Sequence, residues 1–224
     1  MSKFCFKKYL LLFVAALFFA STFATVSCAT VSNGTGVKSN YKNSQLNMSE
    51  YEGTLISADK LKPWLDNGMR TEDGKPVVVI ERTSGVSGVD YDSDGKPDYI
   101  PGSVISPFGS LQEVRSDGPV NNVSMILSGP TMNRRLQEYG ITKDTVVVFT
   151  GVPGYIITRG WWTFYYWGFS EENIKVLDGG TKAYFDAGYY TTNEPKIVKS
   201  SSFKISDLPD KSIRVERIDN VNIV

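Results

Sequence analysis

The residues whose types and spacing best suit chemistry lie in one short run, DYDSDGKPD, from Asp90 to Asp98. Asp90, Asp92, Asp94 and Asp98 take positions one, three, five and nine of this run, with Gly95 at six and the carbonyl of Lys96 at seven. Such spacing wraps a loop around a hard cation: alternate side chains converge, glycine permits the sharp turn, and the next carbonyl adds an oxygen. Pro101 stands at position twelve, where an EF-hand carries its bidentate Glu, so the expectation is a shorter calcium loop. A solvated acidic turn is the competing reading, because Asp and Gly form turns without any metal. Mutual repulsion of four carboxylates within nine residues favours Ca2+.

Nucleophilic and zinc chemistry are largely excluded. Histidine is absent, which removes the commonest general base and the commonest zinc ligand. The two cysteines, Cys5 and Cys28, both lie near the N-terminus, so no thiolate nucleophile, disulfide or Cys-based metal site is available further along. Lys plus Arg and Asp plus Glu number 24 each, and the basic residues are scattered, so no field for nucleic acid exists.

The elements that would position a site alternate along the chain. LISADKLKPWLDNG offers Ser57 as an N-cap, Leu61, Trp64 and Leu65 at helical spacing, and Gly68 as a stop. PVVVIE is a β-branched run of strand length, SVIS a short strand, GPTMNRRLQEYG a helix closed by Gly140, and DTVVVFT a second buried strand. YIITRGWWTFYYWG has helical length and is apolar nearly all round, predicting burial on several sides. NIKVLD is a third strand and GGTKAYFDAG a short helix. Continuous Val and Ile strands separated by helices predict an α/β fold, a parallel sheet covered on both faces. Ligands in such sheets sit beyond the carboxyl ends of the strands, which directs attention to the loops after Glu81, Thr150 and Asp178.

Several of these segments resemble the rhodanese-like sulfurtransferases. LISADKLKPWLDNG resembles their opening helix, IPGSV their turn that usually carries a His before the Ile, and DTVVVFTGVPGYIITRGWWTFYYWGF their central strand, active loop and following helix. IKVLDGGTKAYFDAGY, with its Gly-Gly turn, is similar to tandem-domain members, and the resemblance spans about Leu55 to Tyr189. It implies a rhodanese-like domain with helices on both faces of a central parallel sheet. In active members the loop after the central strand begins with a persulfide-carrying Cys; the position here is Thr150, whose hydroxyl is too weakly acidic for that role. The resemblance therefore implies a non-catalytic N-terminal domain of a tandem thiosulfate sulfurtransferase, with a second rhodanese-like domain or a partner protein supplying the thiol. Alternatively, the chain is a calcium-stabilised binding module. Thr150, Gly151, Gly154 and Arg159 are its candidates for holding a sulfur oxyanion, Arg159 having a surface or interdomain salt bridge as its other reading. Glu81 and Arg82 fall near the family's Asp and Arg after the first strand, at altered spacing.

The flanks suggest export. Lys3, Lys7 and Lys8 precede YLLLFVAALFFA and small residues, the layout of a signal peptide over 1–28, too short for a comfortable membrane span. TVSC, ending at Cys28, resembles a bacterial lipoprotein site, so both lipidation in the cell envelope and release as a soluble periplasmic protein stand open. Membrane attachment is expected only through this signal or lipid. Residues 29–50, rich in Ser, Asn, Thr and Gly, form a flexible tether; 51–189 form the domain; 190–224 read as a linker and the start of a second domain, or as a loose terminus.

Overall fold

The computed structural model describes residues 53–85, 88–115 and 122–209. The signal, the tether, Cys28 and the last residues of the expected linker lie outside the described residues. No helix among those described is long and apolar enough to cross a membrane.

Strands β1 (Leu55–Ile56), β2 (Val77–Thr83), β3 (Val104–Pro107), β6 (Val146–Gly151) and β7 (Ile174–Leu177) make one parallel sheet in the order β1-β7-β6-β2-β3. A small antiparallel pair, β4 (Glu113–Arg115) and β5 (Asn122–Met125), is an element absent from the strand pattern above. Among the described residues four α-helices cover the sheet: α1 (Ala58–Asp66), α2 (Gly129–Glu138), α3 (Tyr155–Tyr166) and α4 (Gly180–Asp186). The expected α/β architecture with helices on both faces is what the chain adopts.

Alternation along each strand sorts the core into two layers. On β6, Val147 and Phe149 pack with Leu136, Ile157 and Phe164 of α2 and α3, while Val146 and Val148 pack with Leu61, Trp64 and Tyr184 of α1 and α4. Each layer buries a continuous set of large apolar side chains, at roughly 1.5–3 kcal/mol for each one fully buried. Ser57 caps α1 as expected, accepting from the Lys60 amide at 3.2 Å.

Three differences from the sequence reading have physical causes. Strand β2 runs two residues past Glu81, because Arg82 and Thr83, although polar, are fully buried with hydrogen-bond partners. Helix α3 is not buried all round: Ile157, Gly160, Thr163 and Phe164 face the sheet, whereas Tyr155 is 70% and Trp162 47% exposed. Residues 192–208, expected as linker, lie against the domain, with Thr192 pairing with Tyr99, Phe203 buried in the α2–α3 layer, and Ile205 and Leu208 packed beside it. A buried Phe at the end of a polar stretch is enough to tie such a segment down.

Candidate functional site

The three strand-end loops singled out by the topology do converge. Glu81 on β2 is in register with Thr150 on β6, and Arg82 with Gly151. Residue parity then sends Glu81 and Thr150 to the α4 face of the sheet and Arg82 to the α3 face.

On the α4 face a short chain of polar side chains runs inside the protein. Thr150 Oγ1 lies 3.0 Å from Thr181 Oγ1, which donates to Glu81 Oε1 at 2.5 Å. All three residues are buried, and Glu81 Oε2 has no hydrogen-bond partner. Burial pushes the Glu81 carboxyl up to about 7, against the weaker pull of the Thr181 hydroxyl and the Ile100 amide. The connection from β6 passes directly above: a Cβ on Gly180 would stand 2.1 Å from the Gly151 carbonyl oxygen, and Gly180 has φ of +63°. Gly151 itself, at φ +130°, has room for no Cβ, which would fall 2.0 Å from the Arg82 carbonyl oxygen.

On the α3 face the Arg82 guanidinium makes six hydrogen bonds of 2.5–3.4 Å: to the carbonyls of Ser106, Pro107, Phe108 and Ile156 and the hydroxyls of Ser106 and Ser110. Among the described residues its acceptors include no carboxylate. Burial lowers its pKa to about 10, helped by the nearby Arg159 and Arg135 charges and opposed by Tyr139. The guanidinium thus clamps β3 and the turn Phe108–Leu111 to the first turn of α3. Arg159 reaches away to β5, donating to the Ser124 carbonyl at 2.7 Å, and its buried Nε has no partner. Among the described residues Arg159 meets this carbonyl and no carboxylate.

The acidic loop is built largely from its own amides. Asp90 accepts from the Ser93 and Gly95 amides, Asp92 from Asp94, and Asp94 from Lys96. Asp98, nearly fully buried, accepts from the Tyr91 amide at 2.7 Å and from Thr191 Oγ1 at 2.5 Å, fastening the loop to the tail. Asp90, Asp92 and Asp98 each bring an oxygen within 4.8 Å of the others, a spacing that a single hard cation could bridge; Asp94 does not join them. The Asp94 amide bond pulls the Asp92 carboxyl down, yet burial and the charges of Asp94, Asp98 and Asp90 leave it raised overall. Tyr91 ties the loop to α4 by stacking on Phe185, ring centres 5.7 Å apart. A cavity of about 490 Å³ lies elsewhere, beside β1 and the amino ends of β6 and β7, lined by Lys60, Trp64, Val146 and Glu172. It touches none of the residues of the strand-end chain.

Comparison with protein-family models finds no match. A Pseudomonas aeruginosa protein described as a 3-mercaptopyruvate sulfurtransferase is 30% identical over 83 residues, covering 37% of this chain and 28% of the relative. A Saccharopolyspora erythraea protein described as a thiosulfate sulfurtransferase is 27% identical over 182 residues, covering 77% of this chain and 56% of the relative. Among solved structures, SseA from Escherichia coli, described as having the rhodanese fold, aligns with a TM-score of 0.52 at 15% identity, over 76% of this chain and 61% of that one. This domain has the rhodanese fold. YnjE aligns similarly, with a TM-score of 0.51 at 23% identity over 66% of this chain and 33% of that one. The chain thus spans between about a quarter and about three-fifths of the proteins it matches.

Within the rhodanese-like frame, sequence reasoning placed Thr150 and Gly151 at the junction they occupy, and missed Thr181 altogether. A Thr directly after a Gly-Gly turn that opens a helix was the available signal, since such a side chain is aimed back over the neighbouring strand end. The Glu81–Arg82 pair, read as displaced, is the polar centre of both faces.

Proposed function

We propose that this rhodanese-like domain holds sulfur oxyanions such as thiosulfate at the 150–154 loop without transferring sulfur itself, as the supporting half of an exported two-domain thiosulfate sulfurtransferase. One observation carries this reading. Thr150 lies one residue before the end of β6, at the position where the resemblance expects the persulfide Cys, and its hydroxyl is buried against Thr181, with Glu81, its pKa raised by burial, as the nearest carboxyl. A hydroxyl so placed cannot carry sulfane sulfur, which leaves the loop amides of Gly151 and Gly154 as the anion-holding groups. Among the described residues Arg82 has no carboxylate acceptor and Arg159 Nε has no partner, which supports an anion at this end of the sheet. The thiol would then come from a second rhodanese-like domain or a partner protein. The purified chain with Cys28 replaced is expected to bind thiosulfate by isothermal titration and to show no transfer of sulfur to cyanide. Transfer above background would overturn the reading, and so would flat titration.

A second reading concerns the acidic loop, and the convergence of Asp90, Asp92 and Asp98 favours it. One Ca2+ held there would rigidify the segment between β2 and β3 without entering any reaction. Export through residues 1–28, with lipidation at Cys28 as the means of membrane attachment, belongs to the same proposal; metabolic labelling with a fatty acid, lost in Cys28→Ala, tests it.

A further inference from the structure

The cavity of about 490 Å³ beside β1 is open space of the size that small-molecule sites have. Its apolar lining comes from Leu55 and Ile56 of β1, Val146 at the start of β6, and Trp64 of α1. Residue parity on β7 sends Ile174 and Val176 into the α2–α3 layer. Lys175, between them, therefore turns to the opposite face, where it lines the cavity.

Lys175 is only 8% exposed, and its Nζ donates to the Gly53 carbonyl at 2.5 Å and the Glu171 carbonyl at 3.3 Å. An ammonium has three N–H donors, so one remains, and among the described residues Lys175 forms no ion pair. The other two lysines of the lining are already matched, Lys60 with Glu72 at 2.9 Å and Lys75 with Asp73 at 3.5 Å. A cation taken out of water without a counter-charge is costly. Burial accordingly lowers the Lys175 pKa, opposed by the charges of Glu172 and Glu171 and assisted by that of Lys75.

The acids of the lining divide in the same way. Glu72 is held by Lys60 and by Trp64 Nε1 at 2.6 Å, and Asp73 by Thr71 Oγ1 and Lys75. Glu172 is exposed, lines the cavity with Lys175, and has no partner among the described residues. Its charge acts on Lys175, yet the two do not pair. Asp178, the other acid of the lining, follows the carboxyl end of β7, away from this pair of opposite charges. We propose that the cavity is a binding site for a free α-amino acid with a large apolar side chain, its carboxylate accepting from Lys175 Nζ, its α-ammonium donating to Glu172, and its side chain lying against Trp64 and Val146. A simple carboxylate would meet Glu172 as a repelling charge, and a simple amine would leave Lys175 unmet; a zwitterion answers both. The site goes beyond the sulfur-oxyanion role proposed above and does not depend on it.

Isothermal titration of the full chain with L-phenylalanine and L-leucine tests this. Two blocked compounds run beside them: N-acetyl-L-phenylalanine, which lacks the cation and resembles a peptide C-terminus, and L-phenylalaninamide, which lacks the anion and resembles an N-terminus. The free amino acids are expected to bind, and each blocked compound to bind about tenfold more weakly or worse. Lys175→Met keeps the apolar stem; it is expected to weaken phenylalanine about tenfold or more and to leave phenylalaninamide unaffected. Glu172→Gln, at an exposed position, is expected to weaken phenylalanine about threefold and to leave N-acetylphenylalanine no weaker. Thermal melts show whether each variant is folded, and Glu172→Gln with the blocked compounds decides the question if Lys175→Met is not. No binding of either amino acid to the unmodified chain overturns the proposal. A blocked compound that binds as tightly as phenylalanine overturns the free amino acid in favour of a peptide terminus. Unchanged phenylalanine affinity in folded Lys175→Met, or in Glu172→Gln, overturns the contact assigned to that residue.

Discussion

Two adjacent buried charges, Glu81 and Arg82, occupy opposite faces of the same strand end and are treated oppositely by their surroundings. Arg82 meets six acceptors, whereas Glu81 feels only the Thr181 hydroxyl on Oε1 and the Ile100 amide, and its Oε2 has no hydrogen-bond partner among the described residues. A guanidinium can be buried as a permanent cation because each of its three nitrogens meets a carbonyl held in place by β3, the following turn or α3. A carboxyl under the same burial has the cheaper option of taking up a proton. The α3 face is therefore built to stay fixed, and the α4 face is built around a group that changes state near neutral pH.

Removing the fixed charge should have the largest effect. Arg82→Met would leave the Ser106, Pro107, Phe108 and Ile156 carbonyls short of a donor and is expected to destabilise the domain by about 3–5 kcal/mol in chemical denaturation. A loss below about 1 kcal/mol would mean that water replaces the guanidinium and that the contrast between the faces is overdrawn.

Gly151→Ala tests the junction that the two faces share. Its Cβ has no room 2.0 Å from the Arg82 carbonyl oxygen, and the backbone sits at a positive φ, so a loss of about 2–4 kcal/mol is expected from urea denaturation.

The titrating charge predicts a pH dependence whose sign is fixed. The folded-state pKa of Glu81 is raised, so the folded chain holds a proton that the unfolded chain has already lost. The associated stability is fully present below the ordinary carboxylate pKa and is lost as pH rises to about 7, amounting to about 3 kcal/mol in all. Glu81→Gln should flatten that decline, gaining about 2 kcal/mol over the unmodified chain at pH 8 and little at pH 5. Equal declines in both chains would assign the pH dependence to other groups.

The acidic loop supplies the smallest effect. Calcium at roughly ten times its dissociation constant should stabilise the chain by about 1.4 kcal/mol, seen as a rise of a few degrees in melting temperature. Asp90→Asn with Asp92→Asn should abolish that rise and lower the calcium-free melt only slightly, since Asn at 92 still accepts from the Asp94 amide and Asn at 90 keeps one of the two amide bonds that Asp90 accepts. A calcium response that survives this double change would place the ion elsewhere.

Much of the fold was legible because strand and helix periods are local. VVVIE, DTVVVFT and NIKVLD could only be buried strands, the helices between them made the sheet parallel, and the Gly-Gly turn marked the start of α4. The β4–β5 pair escaped because three or four residues carry no clear period. Exposure of Trp162 and Tyr155 escaped because composition cannot say which side of an apolar helix meets the sheet.

By itself the sequence determined the chemistry that is excluded, with no thiol or imidazole in the domain and Thr150 at the end of the central strand, and it also determined the spacing of the acidic loop. Tertiary structure alone decided that Thr181 would bridge Thr150 and Glu81 across 31 and 100 residues of chain, and that Arg82 would be saturated while its neighbour was not. The reason is physical: residue type fixes what a group can donate, accept or ionise, but its protonation and partners depend on which distant atoms burial brings within 3 Å.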